Sequence, residues 1–207
     1  PLQTSLVLST NRAFISLSQK LCYELKIQKQ DSAQASAVKV VQALKQGDKI
    51  QLAHVFKQSI HHYCLREWLA LADSDLAKKY QPSTLPPSYM VDAISSQLID
   101  GFCVGEPWNI QAQIEGYSYV IAESKQIIPE VADKVLATTH EWANKHPNTL
   151  NALQTAIQQA QHDLSTLQSL QPIWHMLEDS EIIRFNCSHL VHTYAFHKIQ
   201  NIIRSFG

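Results

Sequence analysis

The chain has 207 residues, 45% of them hydrophobic, which is enough to bury a core in one large domain or two small ones. Seventeen Lys and Arg against eighteen Asp and Glu give a net charge of −1, and there is no basic block. That balance argues against a nucleic-acid binder working by phosphate neutralisation, and no apolar run reaches the length that spans a bilayer.

In chain order, Gln3 to Leu8 and Ile15 to Leu17 read as short strands. Ser18 is placed to cap a helix running to about Lys29, with Leu21, Cys22 and Leu25 on one face. A polar, alanine-rich helix follows from Asp31, with Val40, Val41 and Leu44 periodic before Gly47 ends it. Ile50 to Phe56 reads as a buried strand, and Ser59 caps a helix lined by Ile60, Tyr63, Cys64 and Trp68. Three prolines make 81–87 an extended connection, and Ser88 starts another helix. Gly101 to Val104 is a strand, Pro107 to Glu115 a helix and Tyr117 to Ala122 a strand. The alternation predicts an α/β layer structure with a largely parallel sheet. Pro147 opens a long Gln-rich helix carrying Leu150, Leu153, Ile157, Ala160 and Leu164 on one side, Pro172 breaks it, and a last helix starts near Cys187.

Cys22, Cys64, Cys103 and Cys187 form no C-x-x-C pair, so they read as buried thiols, with a disulfide among them left open. The chain opens at Pro1 without an initiator methionine, so a targeting segment is neither seen nor excluded.

The densest signal is Ile99-Asp100-Gly101-Phe102-Cys103-Val104-Gly105-Glu106-Pro107-Trp108-Asn109, which holds two of the five glycines. A strand passes through a Gly-Glu-Pro corner into a helix, with Pro107 suited to the first turn. Such junctions turn backbone N–H groups towards anions. The same residues also read as a tight βα turn with a buried tryptophan.

This segment resembles the corresponding one of the nitrate-, bicarbonate- and sulfonate-binding proteins of bacterial ABC transporters, a family that includes cytoplasmic nitrate sensors. Pro86-Pro87-Ser88-Tyr89-Met90-Val91 is similar to its Pro-Pro-x-x-Met-Val. The run from Ser59 to Ala70 is similar to its Ser-Thr-His-x-Tyr-Trp-Leu-Arg-Tyr-Trp-Leu-Ala. Asp133-Lys134-Val135-Leu136 is similar to its Glu-Lys-Val-Leu, and Asn144 to Asn148 to the entry of its next helix. The likeness covers roughly residues 1 to 168.

The resemblance implies an α/β, type II periplasmic-binding-protein-like two-lobed clamshell with an incomplete first lobe and a helical C-terminal segment. Residues 1–49 would be part of lobe 1, 50–122 lobe 2, and 123–207 a return to lobe 1 plus C-terminal helices. The family's first two βα units have no counterpart here, so uncovered apolar faces would favour self-association.

It also implies a ligand site. His61 would donate to an anion, Lys134 would balance its charge, and Pro87 and Val104 would wall the site. By chemistry alone His61 reads as a capping or core histidine and Lys134 as a solvated lysine. The family's Asn-Gly-x-x-Ile-Thr-Leu-Ser is here Asn11-Arg12-Ala13-Phe14-Ile15-Ser16-Leu17-Ser18. Arg12 and Phe14 stand where the family is small; they would fill the pocket, or Arg12 would supply a guanidinium to a larger oxyanion. Val131-Ala132-Asp133 replaces the family's His-Pro-Glu.

His189, His192 and His197 do not share one face of a straight helix, and the adjacent rings of His61 and His62 point apart, so no metal site is expected. Glu106 at a helix start is stabilised by the dipole without catalytic duty. No nucleophile elbow, phosphate loop or carboxylate pair appears, so neither an enzyme nor a cofactor is expected. The reading is a substrate-binding component of an ABC transporter, holding a small anion (nitrate, nitrite, bicarbonate or sulfonate) and meeting a membrane permease in the periplasm or at the outer face of the inner membrane. A cytoplasmic anion sensor and a degenerate relative without ligand are the alternatives.

Overall fold

A computed structural model describes residues 1–169, 171–184, 197–198 and 200–201. Its elements are β1 (Leu2–Thr10), β2 (Ala13–Ser18), α1 (Gln19–Glu24), α2 (Ala33–Gln46), β3 (Leu52–His54), α3 (Ile60–Ala70), α4 (Ser74–Lys79) and β4 (Ser83–Thr84). A short 3-10 turn at Pro87–Tyr89 leads into α5 (Met90–Ser95), β5 (Gly101–Gly105), α6 (Trp108–Ile114), β6 (Ser118–Glu123), β7 (Ala132–Thr139), α7 (His140–Lys145), α8 (Pro147–Thr166) and α9 (Gln171–Asp179). They divide into two compact units: residues 12–129 with 180–184, and residues 1–11 with 130–179.

The first unit is built on a sheet ordered β4-β3-β5-β2-β6. The apolar runs at 13–17 and 101–104 occupy its middle because both faces are covered, so neither strand alternates in polarity. On one face, Ile15, Leu17, Leu52 and Cys103 pack with Val40, Val41, Cys64 and Trp68 from α2 and α3. On the other, Phe102, Val104 and Ala53 pack with Met90, Val91 and Ile94 of α5 and Ala112 of α6. Several polar side chains inside are hydrogen-bonded. Ser16 Oγ donates to Asn109 Oδ1 at 2.8 Å, Asn109 Nδ2 to the Val104 carbonyl at 2.9 Å, and Trp68 Nε1 to the Ala33 carbonyl at 3.0 Å.

The expected parallel sheet is half correct. β3 runs parallel to β4 and β5, whereas β2 lies antiparallel to both β5 and β6. The lobe boundary at 49/50 also moves, because β2 is hydrogen-bonded between β5 and β6, and residues 12–49 fold with 50–122. The helix after Ser18 ends at Glu24 rather than Lys29. Lys26 adopts a left-handed φ of 53°, and Ile27 N–H returns to the Cys22 carbonyl at 2.8 Å, which turns the buried Ile27 inward. Pro172 lies in the first turn of α9, and the helix expected from about Cys187 falls outside the described residues. Cys22, Cys64 and Cys103 are buried and in no disulfide; burial pushes the Cys22 thiol up to about 12.

The second unit pairs β1 antiparallel with β7, joining residues more than a hundred positions apart. α8 is tied to β1 by Gln154 Nε2 donating to the Ser5 carbonyl at 2.6 Å and Gln161 Nε2 to the Leu8 carbonyl at 3.2 Å. None of its 20 residues is buried. No described helix is long and apolar enough to cross a membrane.

Two glycines are obligatory for different reasons. Gly47 closes α2 with φ of 100°, a conformation L side chains adopt only with strain. At Gly101 a Cβ would stand 2.5 Å from Leu17 Cδ2 and 2.7 Å from the Ser16 carbonyl oxygen, so β2 and β5 meet too closely for any side chain. Gly101→Ala should therefore cost about 1–3 kcal/mol in chemical denaturation by overpacking. A variant as stable as the parent would contradict this packing.

Candidate functional site at the carboxyl ends of the strands

Parallel strands that share a direction end at one edge of a sheet, and in open α/β sheets ligands bind outside the carboxyl ends of the strands. Here β3 ends at His54, β4 at Thr84 and β5 at Gly105. The antiparallel β2 begins at the same edge, because Ala13 is in register with Gly105, and this brings Arg12 there. α3 also starts beside this edge. Ser59 caps it by accepting the His62 N–H at 3.2 Å, and His61 sits in its first turn.

Gly105 shows how close these parts come. A Cβ built on it would lie 3.6 Å from the Arg12 carbonyl oxygen and 4.0 Å from His61 Nε2. The imidazole of His61 thus stands over bare backbone at the end of β5, next to the positive end of the α3 dipole. The His61 ring and the backbone of Arg12 therefore meet around Gly105. Val104 does not wall this space: it is 1% exposed and belongs to the core under α5 and α6, so the strand offers Gly105 instead. Pro87 opens the 3-10 turn three residues after β4 and is half-buried. Phe14 is buried inside the sheet, paired with Val104 and Glu123.

Lys134 lies on β7 in the other unit, with its side chain 60% exposed. Asp133 Oδ2 approaches its ammonium at 3.5 Å from a side chain that is almost wholly buried, so much of the lysine charge is already balanced. The Gly-Glu-Pro corner also differs from expectation. Glu106 Oε2 accepts the Ile110 N–H at 2.9 Å, so the chain's own carboxylate occupies the start of α6, and Pro107 caps that seven-residue helix rather than entering it.

The sequence reading missed a second histidine at this edge. His54 is 2% exposed; its Nδ1 lies 2.9 Å from His62 Nδ1, and its Nε2 lies 3.0 Å from Thr84 Oγ1. A histidine inside a run read as a buried strand demands a polar partner, and that demand was the available signal. One ring of the pair must donate and the other accept, so they share a single proton at that bond. Burial lowers the pKa of His54, with His62 adding to the effect. Burial also lowers that of His62, followed by the charges of Arg66 and Lys57. The rings of His61 and His62 do diverge as their adjacency implied: one faces Gly105, the other His54. No cluster of three or more metal-binding side chains occurs among the described residues; His189 and His192 lie outside them.

A model of the NMT1-like family matches residues 1–173. The chain belongs to that family. Its NMT1-like segment is 34% identical over 160 residues to the bicarbonate transport ATP-binding protein CmpC of Synechocystis sp., covering 77% of this chain and 23% of that protein. It is 28% identical over 154 residues to the nitrate/nitrite binding protein NrtA of Nostoc sp., covering 74% and 34%. In three dimensions it is similar to the crystal structure of the periplasmic nitrate-binding protein NrtA from Synechocystis PCC 6803, with a TM-score of 0.69 and 23% identity over 86% of this chain and 44% of that one. The chain therefore spans about a quarter to under a half of the length of these relatives. NMT1-like chains of this kind have the type II periplasmic-binding-protein fold anticipated from the motifs.

The two lowered histidines set a pH dependence. An unfolded histidine titrates near 6.5, and both rings titrate lower in the fold, so the unfolded chain binds more protons as pH falls. Their contribution is complete above about pH 6.5 and is lost as pH falls through the folded values. Thermal midpoints should drop between pH 7.5 and pH 5.5, and His62→Gln should flatten that drop. An unchanged slope in the variant would refute the assignment.

Proposed function

We propose that this chain is the ligand-binding part of an ABC transport system for a small oxyanion of the nitrate, nitrite, bicarbonate or sulfonate kind. Its work is binding rather than catalysis, with the ligand handed to a membrane permease on the periplasmic side. The observation that carries this reading is His61, in the first turn of α3, standing over the bare backbone of Gly105, with the backbone of Arg12 beside it. A planar or tetrahedral oxyanion needs converging donors and positive charge in a confined space. An imidazole N–H and a helix start supply these, and the guanidinium of Arg12, one residue before β2, is proposed to join them. The bulky Arg12, where the family has glycine, fits a ligand that accepts a guanidinium fork.

A second reading is favoured by the 34% identity to an ATP-binding protein, which exceeds the identity to the binding proteins. In this reading the chain is an anion-sensing module that regulates transport from the cytoplasm. Release of the native protein by osmotic shock supports the transport role; retention with the cytoplasmic fraction supports the sensor. The unburied α8 also makes self-association of the chain a proposal, which light scattering tests: a monomer at all concentrations removes it.

Calorimetric titration with nitrate, nitrite, bicarbonate and alkanesulfonates should give saturable binding to one of them. His61→Ala should weaken it about tenfold or more, the scale of one charge-assisted hydrogen bond. Gly105→Ala is the sharper variant: its Cβ meets only ordinary contacts, so folding should survive while affinity falls. Lys134→Ala reports whether the second unit takes part. Absence of heat from every anion, or full affinity in both His61→Ala and Gly105→Ala, would overturn the reading.

A further inference from the structure

A second concentration of positive charge in the first unit lies away from the strand ends. It lies on the other side of His62, in a cavity of about 230 Å³ between α3 and the Tyr80–Pro82 segment. His62, Leu65, Arg66 and Leu69 line it at the i, i+3, i+4, i+7 spacing of one helix face. Lys57 enters from the loop before α3 and Lys78 from α4. None of the lining residues is acidic, although the chain as a whole is slightly negative. Apolar side chains share the lining: Leu65 and Leu69 on the same α3 face, each 1% exposed, with Ala77 of α4 and Pro82 beyond it.

We propose that this cavity is a second anion site, which takes a small organic dianion and draws a proton onto His62 as it fills. The volume corresponds to several waters at roughly 30 Å³ each, more than a bare triatomic oxyanion occupies. Three cations spread over the rim match a ligand with two or more charges, and the apolar part of the lining, Leu65, Leu69, Ala77 and Pro82, matches an organic body. A phosphate monoester and a dicarboxylate share this chemistry. The cations are available to such a ligand. Arg66 touches Glu67 at 3.3 Å and Lys78 touches Asp75 at 3.5 Å, and both are long, exposed pairs that a better-placed dianion displaces.

The proton follows from what faces His62. On one side is the His54 ring, hydrogen-bonded onward to Thr84. On the other are Arg66, Lys57 and, across the cavity, Lys78; the Tyr63 ring stands 5.6 Å away. The Tyr80 hydroxyl is committed to β3, donating to the Ile50 carbonyl at 2.7 Å and accepting from the Leu52 N–H at 2.8 Å. The carboxylates that touch these cations, Glu67 and Asp75, are not among the residues lining the cavity, and burial with Arg66 and Lys57 disfavours a charge on His62. A dianion reverses the local field and favours imidazolium. The protonated ring then donates through Nδ1 to His54, so the existing bond is kept.

Calorimetry at pH 6.5 in two buffers of different ionisation enthalpy tests this, with glycerol 3-phosphate, succinate, inorganic phosphate and nitrate as probes. At least one organic dianion should bind saturably at millimolar concentration or below, with a heat that differs between buffers. Arg66→Gln and Lys57→Gln should each weaken it tenfold or more. His62→Gln should remove the buffer dependence, and circular dichroism checks that each variant folds. No saturable heat from either organic dianion, affinity unchanged in both cation variants, or displacement by equimolar nitrate would overturn the site. A buffer-independent heat in the parent protein would overturn the proton coupling.

Discussion

The close approach of β2 to β5 is the constraint on which the rest of the sheet unit depends. Gly101 lets the backbone of Ser16 and the side chain of Leu17 come within distances no Cβ would allow. This pairing fixes the register from Leu17↔Gly101 to Ala13↔Gly105. A one-residue slip would turn every side chain of β2 to the opposite face. It would also move Arg12 away from the end of β5. Packing at one end of the strand pair therefore sets the polar arrangement at the other.

Around that edge the protein uses charge sparingly. Glu106 fills the start of α6, and burial with neighbouring cations disfavours a charge on the His54–His62 pair. At the end of β5 stand the His61 imidazole and the start of an eleven-residue helix. Such a set suits reversible binding of a weakly basic anion, since a denser cluster of cations would hold it too tightly and with less selectivity. The more strongly cationic cavity beside α3 suits a ligand of higher charge.

Local chemistry was well marked in the sequence. Ser18 and Ser59 each cap a helix, Gly47 ends one, and the apolar run from Gly101 to Val104 is a strand buried on both faces. The segment from Ile99 to Asn109, supported by the runs around His61 and Pro87, pointed to the family, which the match over residues 1–173 shows. Long-range pairing was not marked. β7 is mostly exposed and gains its strand form only by pairing with β1 across the length of the chain, so its own residues gave little sign of it. The reversed placement of β2 was hidden for the same reason, since alternation of strands and helices does not encode which strand inserts between which. Val104 was misread because a motif position does not tell which side of a strand faces the core. His54 was missed because its partners, His62 and Thr84, lie eight and thirty residues away.

The central claim is that the anion meets the protein where His61 stands over Gly105. The most direct measurement is two-dimensional NMR of the histidine side-chain nitrogens in a ¹⁵N-labelled chain, recorded as a binding oxyanion is titrated in. The account predicts that the His61 Nε2 resonance shifts in a saturable manner, while the exposed His140 and His162 stay in place. Saturable anion binding that leaves His61 Nε2 unmoved would contradict it.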